Sequence, residues 1–302
     1  MHVDRSFGRG TLAAFFVWLL VLSVPLWMLA WAWGSGAWAI PVPKAREWFV
    51  TAIMWCPGLA ALIACATTRT SFGALGFRLP RAKWLGLAYL YPLAYLVIAY
   101  ALIWGLQIGT FDASAFVADS EKKWSLTGAG AIAAGVLTTL TVGVLVEIGR
   151  SLGEEIGWRG LLSPALSQRR GLLFGGIASS LVWGLWHLPL LTAFGFGELP
   201  TWYAWLVFML GILPVGFVCA WLRWRSRSVW PAVVVHSVHN ALLYPLFDMN
   251  TTPAGTATAY ATGETGFALA SVNLVFALLV WRSTRNKGNI ATSSATAPTS
   301  ES

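Results

Sequence analysis

Gly153-Glu154-Glu155-Ile156-Gly157-Trp158-Arg159 sets two adjacent carboxylates and a guanidinium into apolar sequence. Gly128–Glu147 before it and Gly171–Phe194 after it are almost free of charge. Two readings compete for this stretch. In one, a membrane span ends at Arg150 and residues 151–170 form a solvated loop. In the other, the helix runs on to about Leu166, with Pro164 near its last turns, and the cluster lies at membrane depth. An ionised side chain at the bilayer centre costs roughly 2.5–3.5 kcal/mol on insertion scales, so such groups are rare and usually functional. A loop would leave Leu161, Leu162 and Leu166 with no helix to bury them. The long helix is the better reading, and it makes the charges intramembrane.

The rest of the chain supports a membrane setting. Of 302 residues 57% are hydrophobic and 11% charged, with a mean hydropathy of +0.66. Soluble domains carry about 25% charged residues. Nineteen tryptophans fit aromatic belts at the interfaces. A bilayer core of about 30 Å needs roughly 20 apolar residues per helix. Eight segments qualify: about 11–33, 48–67, 84–106, 128–150 (or to Leu166), 171–194, 202–222, 229–247 and 264–281. The fold class is an all-α polytopic membrane bundle of about eight transmembrane helices. Residues 1–287 read as a single transmembrane domain. Residues 288–302, rich in Ser, Thr and Ala, read as a disordered tail. Thr11–Trp33 lacks a small-residue cleavage site and reads as a retained helix.

The net charge of +8 is scattered through short loops, which points to topology and away from nucleic acid. One side collects Arg5, Arg9, Arg69, Arg78, Arg81, Lys83, Arg169, Arg170, Arg223, Arg225, Arg227, Arg282, Arg285 and Lys287. The other has Lys44, Arg46, Lys122 and Lys123. That imbalance puts both termini in the cytoplasm. Cys56, Cys65 and Cys219 lie in apolar runs with no metal or disulfide spacing, and read as packing residues.

Three patterns carry possible chemistry. Glu154-Glu155 with Arg159 makes an EExxxR arrangement, in which Glu155 and Arg159 are i,i+4 neighbours on a helix and Glu154 projects about 100° away. The plain alternative is a buried ion pair that ties helices together. Trp183-Gly184-Leu185-Trp186-His187 sets an aromatic residue one turn before a histidine, with packing as its plain alternative. If the chain reverses at Gln168–Gly171, Glu154 lies about fifteen residues before the turn and His187 about sixteen after it. Both then sit roughly 23 Å from the turn on neighbouring helices. His236-Ser237-Val238-His239-Asn240 stacks His236 and Asn240 on one face, with His239 beside them as a supporting or core residue. From Arg227, His236 lies about 13 Å and Asn240 about 20 Å along a helix.

This succession, EExxxR, aromatic-xxx-His and HxxxN, resembles the CPBP group of intramembrane proteases over about residues 128–247. That group includes the CAAX prenyl endopeptidases and the bacterial Abi-type bacteriocin self-immunity proteins. Trp183 stands where the family usually carries phenylalanine. The resemblance implies an intramembrane endopeptidase acting on a membrane-associated protein or peptide. Glu154 would activate a water that His187 holds or relays, and His236 and Asn240 would bind the oxyanion. Glu155, Arg159 and Trp183 would support them. A second version, following the family's metalloprotease label, makes Glu154, His187 and His236 ligands of a Zn2+ ion; the residues leave both versions open. No HExxH, GxSxG or paired intramembrane aspartates occur. The rivals are a proton-coupled transporter and a non-catalytic scaffold or self-immunity protein of the same fold. A transporter would need inverted repeats that the sequence lacks. Short loops favour a bacterial plasma membrane, with the lipid bilayer and a protein or peptide substrate as partners.

Overall fold

The computed structural model describes residues 7–36, 45–195 and 199–293, with the side chains of residues 285–293 outside the description. Arg5 and Lys44, used above to orient the chain, fall outside it. Eleven helices and two short strands follow in order. They are α1 (Arg9–Gly34), α2 (Ala45–Thr67), α3 (Ala82–Gly105), β1 (Gly109–Phe111), α4 (Ser114–Trp124), α5 (Gly128–Thr138), α6 (Val144–Glu155) and α7 (Ser163–Phe194). Then come α8 (Thr201–Ser226), α9 (Trp230–Leu242), β2 (Thr251–Pro253), α10 (Thr256–Ala261) and α11 (Phe267–Ser293). Single π-helical turns occupy Thr139–Gly143, Ile156–Leu162 and Leu243–Phe247. The first two carry α5 into α6 and α6 into α7 without a break.

Among the described residues six helices are long and apolar enough to cross a membrane, one of them the 67-residue run Gly128–Phe194. That run folds back on itself at Arg170 (φ −137°, ψ 15°) and Gly171 (φ 84°, ψ 168°). Gly171 adopts a left-handed conformation that costs glycine little. Gly175 then packs against Ser167 across the turn. Counted as two arms, and with α9 and its π turn spanning 230–247, the bundle has the eight apolar segments read from the sequence. The helix does not stop at Arg150, and the EExxxR cluster lies inside it with Glu154 1%, Glu155 0% and Arg159 0% exposed.

α6 packs between α2 and α9, and the second arm of α7 packs against α1 and α8. Gly153 and Gly157, four residues apart, allow the close approach of α2. A Cβ at Gly153 would fall 2.7 Å from the Met54 carbonyl oxygen, and one at Gly157 would fall 2.7 Å from the Pro57 carbonyl carbon. Small residues at this spacing let membrane helices meet backbone to backbone. Trp55 Nε1 adds a 3.0 Å hydrogen bond to the Gly149 carbonyl across the same seam.

Three apolar cores result among the described residues: one around α1, α2 and the second arm of α7, one around α3, α9 and α11, and one where α8 meets α3, α9 and α11. The segments 107–127 and 248–263, which connect apolar segments read from the sequence, contain α4, α10 and a two-stranded antiparallel sheet pairing Gly109 with Pro253 and Phe111 with Thr251. Strands of three residues are too short to show a period. α11 runs to Ser293, past the boundary drawn at residue 288; the remaining residues, 294–302, lie outside the described part.

Candidate active site

The site is built where α6, the second arm of α7 and α9 meet. Glu154 ends its helix facing α7. Its Oε2 accepts Trp158 Nε1 from one turn on at 3.1 Å and Trp183 Nε1 from α7 at 2.6 Å. His187 Nε2 lies 3.9 Å from the same oxygen. The other nitrogen of His187, Nδ1, is 2.9 Å from the Trp183 carbonyl. A carbonyl only accepts, so Nδ1 carries the proton, and in the neutral ring Nε2 turns a lone pair toward Glu154.

Glu155 points the other way, toward α9. Its Oε1 takes Arg159 Nη1 at 3.0 Å and His236 Nδ1 at 3.1 Å. The Arg159 guanidinium also lies 4.1 Å from the centre of the Trp183 ring, a cation–π contact. Glu155 thus holds the histidine of α9, while Glu154 faces that of α7 at 3.9 Å.

Trp183 stands at the junction. Its ring meets those of His187 and His236 edge-on at 5.8 and 5.5 Å. Its indole N–H reaches Glu154, which phenylalanine could not do. Trp186 packs against Trp158 and Trp27 and donates to Ser23 Oγ at 2.9 Å.

A half-open cavity of about 90 Å³ adjoins this junction, large enough for several waters. Of the residues singled out from the sequence, Trp183, His187, His236 and Asn240 line it. Glu154, Glu155 and Arg159 do not; they stand behind the histidines and Trp183. Three further polar residues face it that the sequence reading left without a role: Tyr95, Glu264 and Asn273. His239 also faces it, with Nδ1 2.7 Å from the Tyr95 hydroxyl and Nε2 3.2 Å from Glu264 Oε1. Glu264 was legible as a lone carboxylate at the edge of the last apolar segment.

The three residues of the zinc version do not make a ligand cluster. Among the described residues no three His, Cys, Asp or Glu side chains are grouped closely enough to hold a metal ion. Glu154 Oε2 is already engaged by two indole donors. This arrangement does not fit a three-ligand centre.

Fold and site together define a polytopic membrane protein with carboxylate–histidine pairs beside a largely apolar internal cavity that a few polar side chains face. Residues 124–242 match the family described as Type II CAAX prenyl endopeptidase Rce1-like. A 93-residue stretch is 33% identical to CAAX prenyl protease 2 of Methanococcus maripaludis, covering 29% of this chain and 34% of that protein. The chain thus spans about a third of the length of this curated relative. The stretch similar to that family, residues 124–242, holds Glu154, His187, His236 and Asn240.

Proposed function

We propose that the chain is an intramembrane endopeptidase that hydrolyses a peptide bond of a membrane-associated protein or peptide with a Glu/His-activated water. The observation that carries this reading is the 3.9 Å between Glu154 Oε2 and His187 Nε2. Two hydrogen-bond acceptors at that separation suit the two hydrogens of one water, each bond being about 2.8 Å long. The water's lone pairs are then left for a carbonyl carbon. Glu154 takes the proton as the new C–O bond forms. His236, with Nδ1 bound to Glu155, donates from Nε2 to the oxyanion in its protonated form, and Asn240 donates from its amide. As the C–N bond breaks, the proton held by Glu154 passes to the leaving amine. Trp158 and Trp183 keep the carboxylate aimed throughout, and the Arg159–Glu155 pair keeps His236 aimed.

The name of the relative makes a prenylated CAAX tail a substrate to try first. Both termini face the cytoplasm in this reading, by the distribution of basic residues. The archaeal relative extends the expected setting from a bacterial to a prokaryotic plasma membrane. The test is the purified chain in liposomes with a farnesylated CAAX peptide and a pool of unprenylated peptides, with products read by mass spectrometry. Cleavage should fall by about 100-fold or more in Glu154→Gln, the scale of general-base catalysis, while the unfolding midpoint is held. Undiminished cleavage in that variant would sink the mechanism. A transporter would have no cleavage to lose.

A further inference from the structure

One carboxylate among the cavity's lining residues has no part in this mechanism. Glu264 lies between α10 and α11, on the rim of the cavity, with its side chain 48% exposed. Its Oε1 is held by His239 Nε2 at 3.2 Å. The Tyr95 hydroxyl, 2.7 Å from His239 Nδ1 and itself fully buried, has no other partner among the described residues and donates to that nitrogen. His239 therefore carries its proton on Nε2 and donates to Glu264. Both ring nitrogens are used, so His239 does not act on a substrate. It fixes the carboxylate. Burial pulls the Glu264 carboxyl upward, but the hydrogen bond from His239 and the pull of the His239, His187 and His236 imidazoles outweigh this and hold it below the ordinary carboxylate range.

The imidazoles of His187 and His236, which line the same cavity, also act on this charge. Glu154 is taken up by two indoles, and Arg159, the nearby guanidinium, is wholly buried and paired with Glu155. Phe208, Ile212, Val215, Val235 and Leu269 make up much of the remaining wall. A carboxylate fixed through one oxygen and half exposed at the rim of a largely apolar chamber is a receptor for a positive group.

We propose that Glu264 is a specificity-determining residue that binds a cationic side chain of the substrate close to the scissile bond. This rests on the peptidase reading above. Glu264 shares one small cavity with His187, His236 and Asn240, and an extended residue spans about 3.3–3.6 Å. The cation therefore sits within one or two residues of the cut. Tyr95 and His239 are positioning residues for Glu264.

The test is a competition assay on the full chain in liposomes. Synthetic peptides share one apolar sequence and differ at single positions, where Lys, norleucine or Glu is placed in turn; products are quantified by mass spectrometry. Lys at one position within two residues of the cut should be preferred over norleucine by roughly fivefold, the fold-change of about 1 kcal/mol from a half-exposed ion pair. In Glu264→Gln the Lys-to-norleucine ratio should fall to about one. In Glu264→Lys the Glu peptide should overtake the Lys peptide. Ratios within one preparation are indifferent to how much protein folds. No preference in the wild type, or one that survives Glu264→Gln, overturns the proposal while leaving the peptidase reading intact. Absence of cleavage of every peptide, including the farnesylated one, removes the peptidase reading and this inference with it.

Discussion

Arg159→Met removes the buried cation while keeping an unbranched stem. Arg159 Nη1 sits 3.0 Å from Glu155 Oε1, with both side chains at 0% exposure, and the guanidinium also lies 4.1 Å from the Trp183 ring centre. At that separation an effective dielectric of about 20 gives roughly 5–6 kcal/mol of attraction. The desolvated cation–π contact adds up to about 2 kcal/mol. Opposed to these is the burial of Arg159 Nε, Arg159 Nη2 and Glu155 Oε2, none of which has a partner among the described residues. Each costs about 1–3 kcal/mol, so the pair as a whole contributes little net stability. Breaking it is another matter. Arg159→Met leaves Glu155 a buried carboxylate with His236 as its remaining donor, and losing one member of a buried pair costs about 3–5 kcal/mol. Glu155→Gln should cost a similar amount by stranding the guanidinium. The double variant Glu155→Gln/Arg159→Met strands neither charge, and should lose at least about 2 kcal/mol less than the sum of the single losses. The assay is denaturant unfolding in one fixed detergent, read by circular dichroism. Single-variant losses that add to within about 0.5 kcal/mol would refute the account, since uncoupled sites behave that way.

Two further outcomes follow from the same packing. Gly157→Ala drives a methyl into the Pro57 backbone and should destabilise by about 1–3 kcal/mol as an overpacked contact. Gly149→Ala, on the same helix with nothing within 4 Å of its added Cβ, should be harmless in the same unfolding assay; equal losses would remove the close-approach argument. Asp248, in the turn after α9 and outside the spans, accepts from the Tyr100 hydroxyl, which in turn takes the Gly263 N–H at 3.1 Å. Burial pushes its carboxyl up from 3.8 to about 6. The native state thus holds this proton more tightly than the unfolded chain, and the contribution is present below about pH 4. It is lost as pH rises to about 6, amounting to at most about 3 kcal/mol. The unfolding free energy should therefore decline across that window in the wild type, and the decline should shrink in Asp248→Asn; an unchanged profile would remove Asp248 as its source.

How much of this the sequence disclosed depends on the range of the interaction involved. Apolar run length places the spans, because each span must satisfy its own backbone bonds within the lipid. Helical spacing pairs Glu155 with Arg159 and stacks His236 with Asn240. The matched distances of Glu154 and His187 from the Arg170–Gly171 turn need only a rise per residue. Contacts fixed by rotamer and helix rotation were beyond that reach. Nothing in the local pattern says that Glu155, and not Glu154, faces His236. Nor does it say that Trp183 lends Glu154 an indole proton, although the departure from phenylalanine marked the position. The Gly153–Gly157 pair is legible as a small-xxx-small seam, but its partner helix is not.

That seam bears on why the carboxylates are adjacent. Neighbouring residues on a helix point about 100° apart, so two successive glutamates address two different helices from one backbone position. Here one meets His187 on α7 and the other His236 on α9. A single carboxylate could not face both imidazoles, and two carboxylates a full turn apart would lie at different heights. Pinning α6 to α2 through Gly153 and Gly157 fixes that height from the opposite side. The charge that results, two carboxylates against one guanidinium, is balanced when His236 is protonated. That is the state in which its Nε2 has a proton to offer an oxyanion.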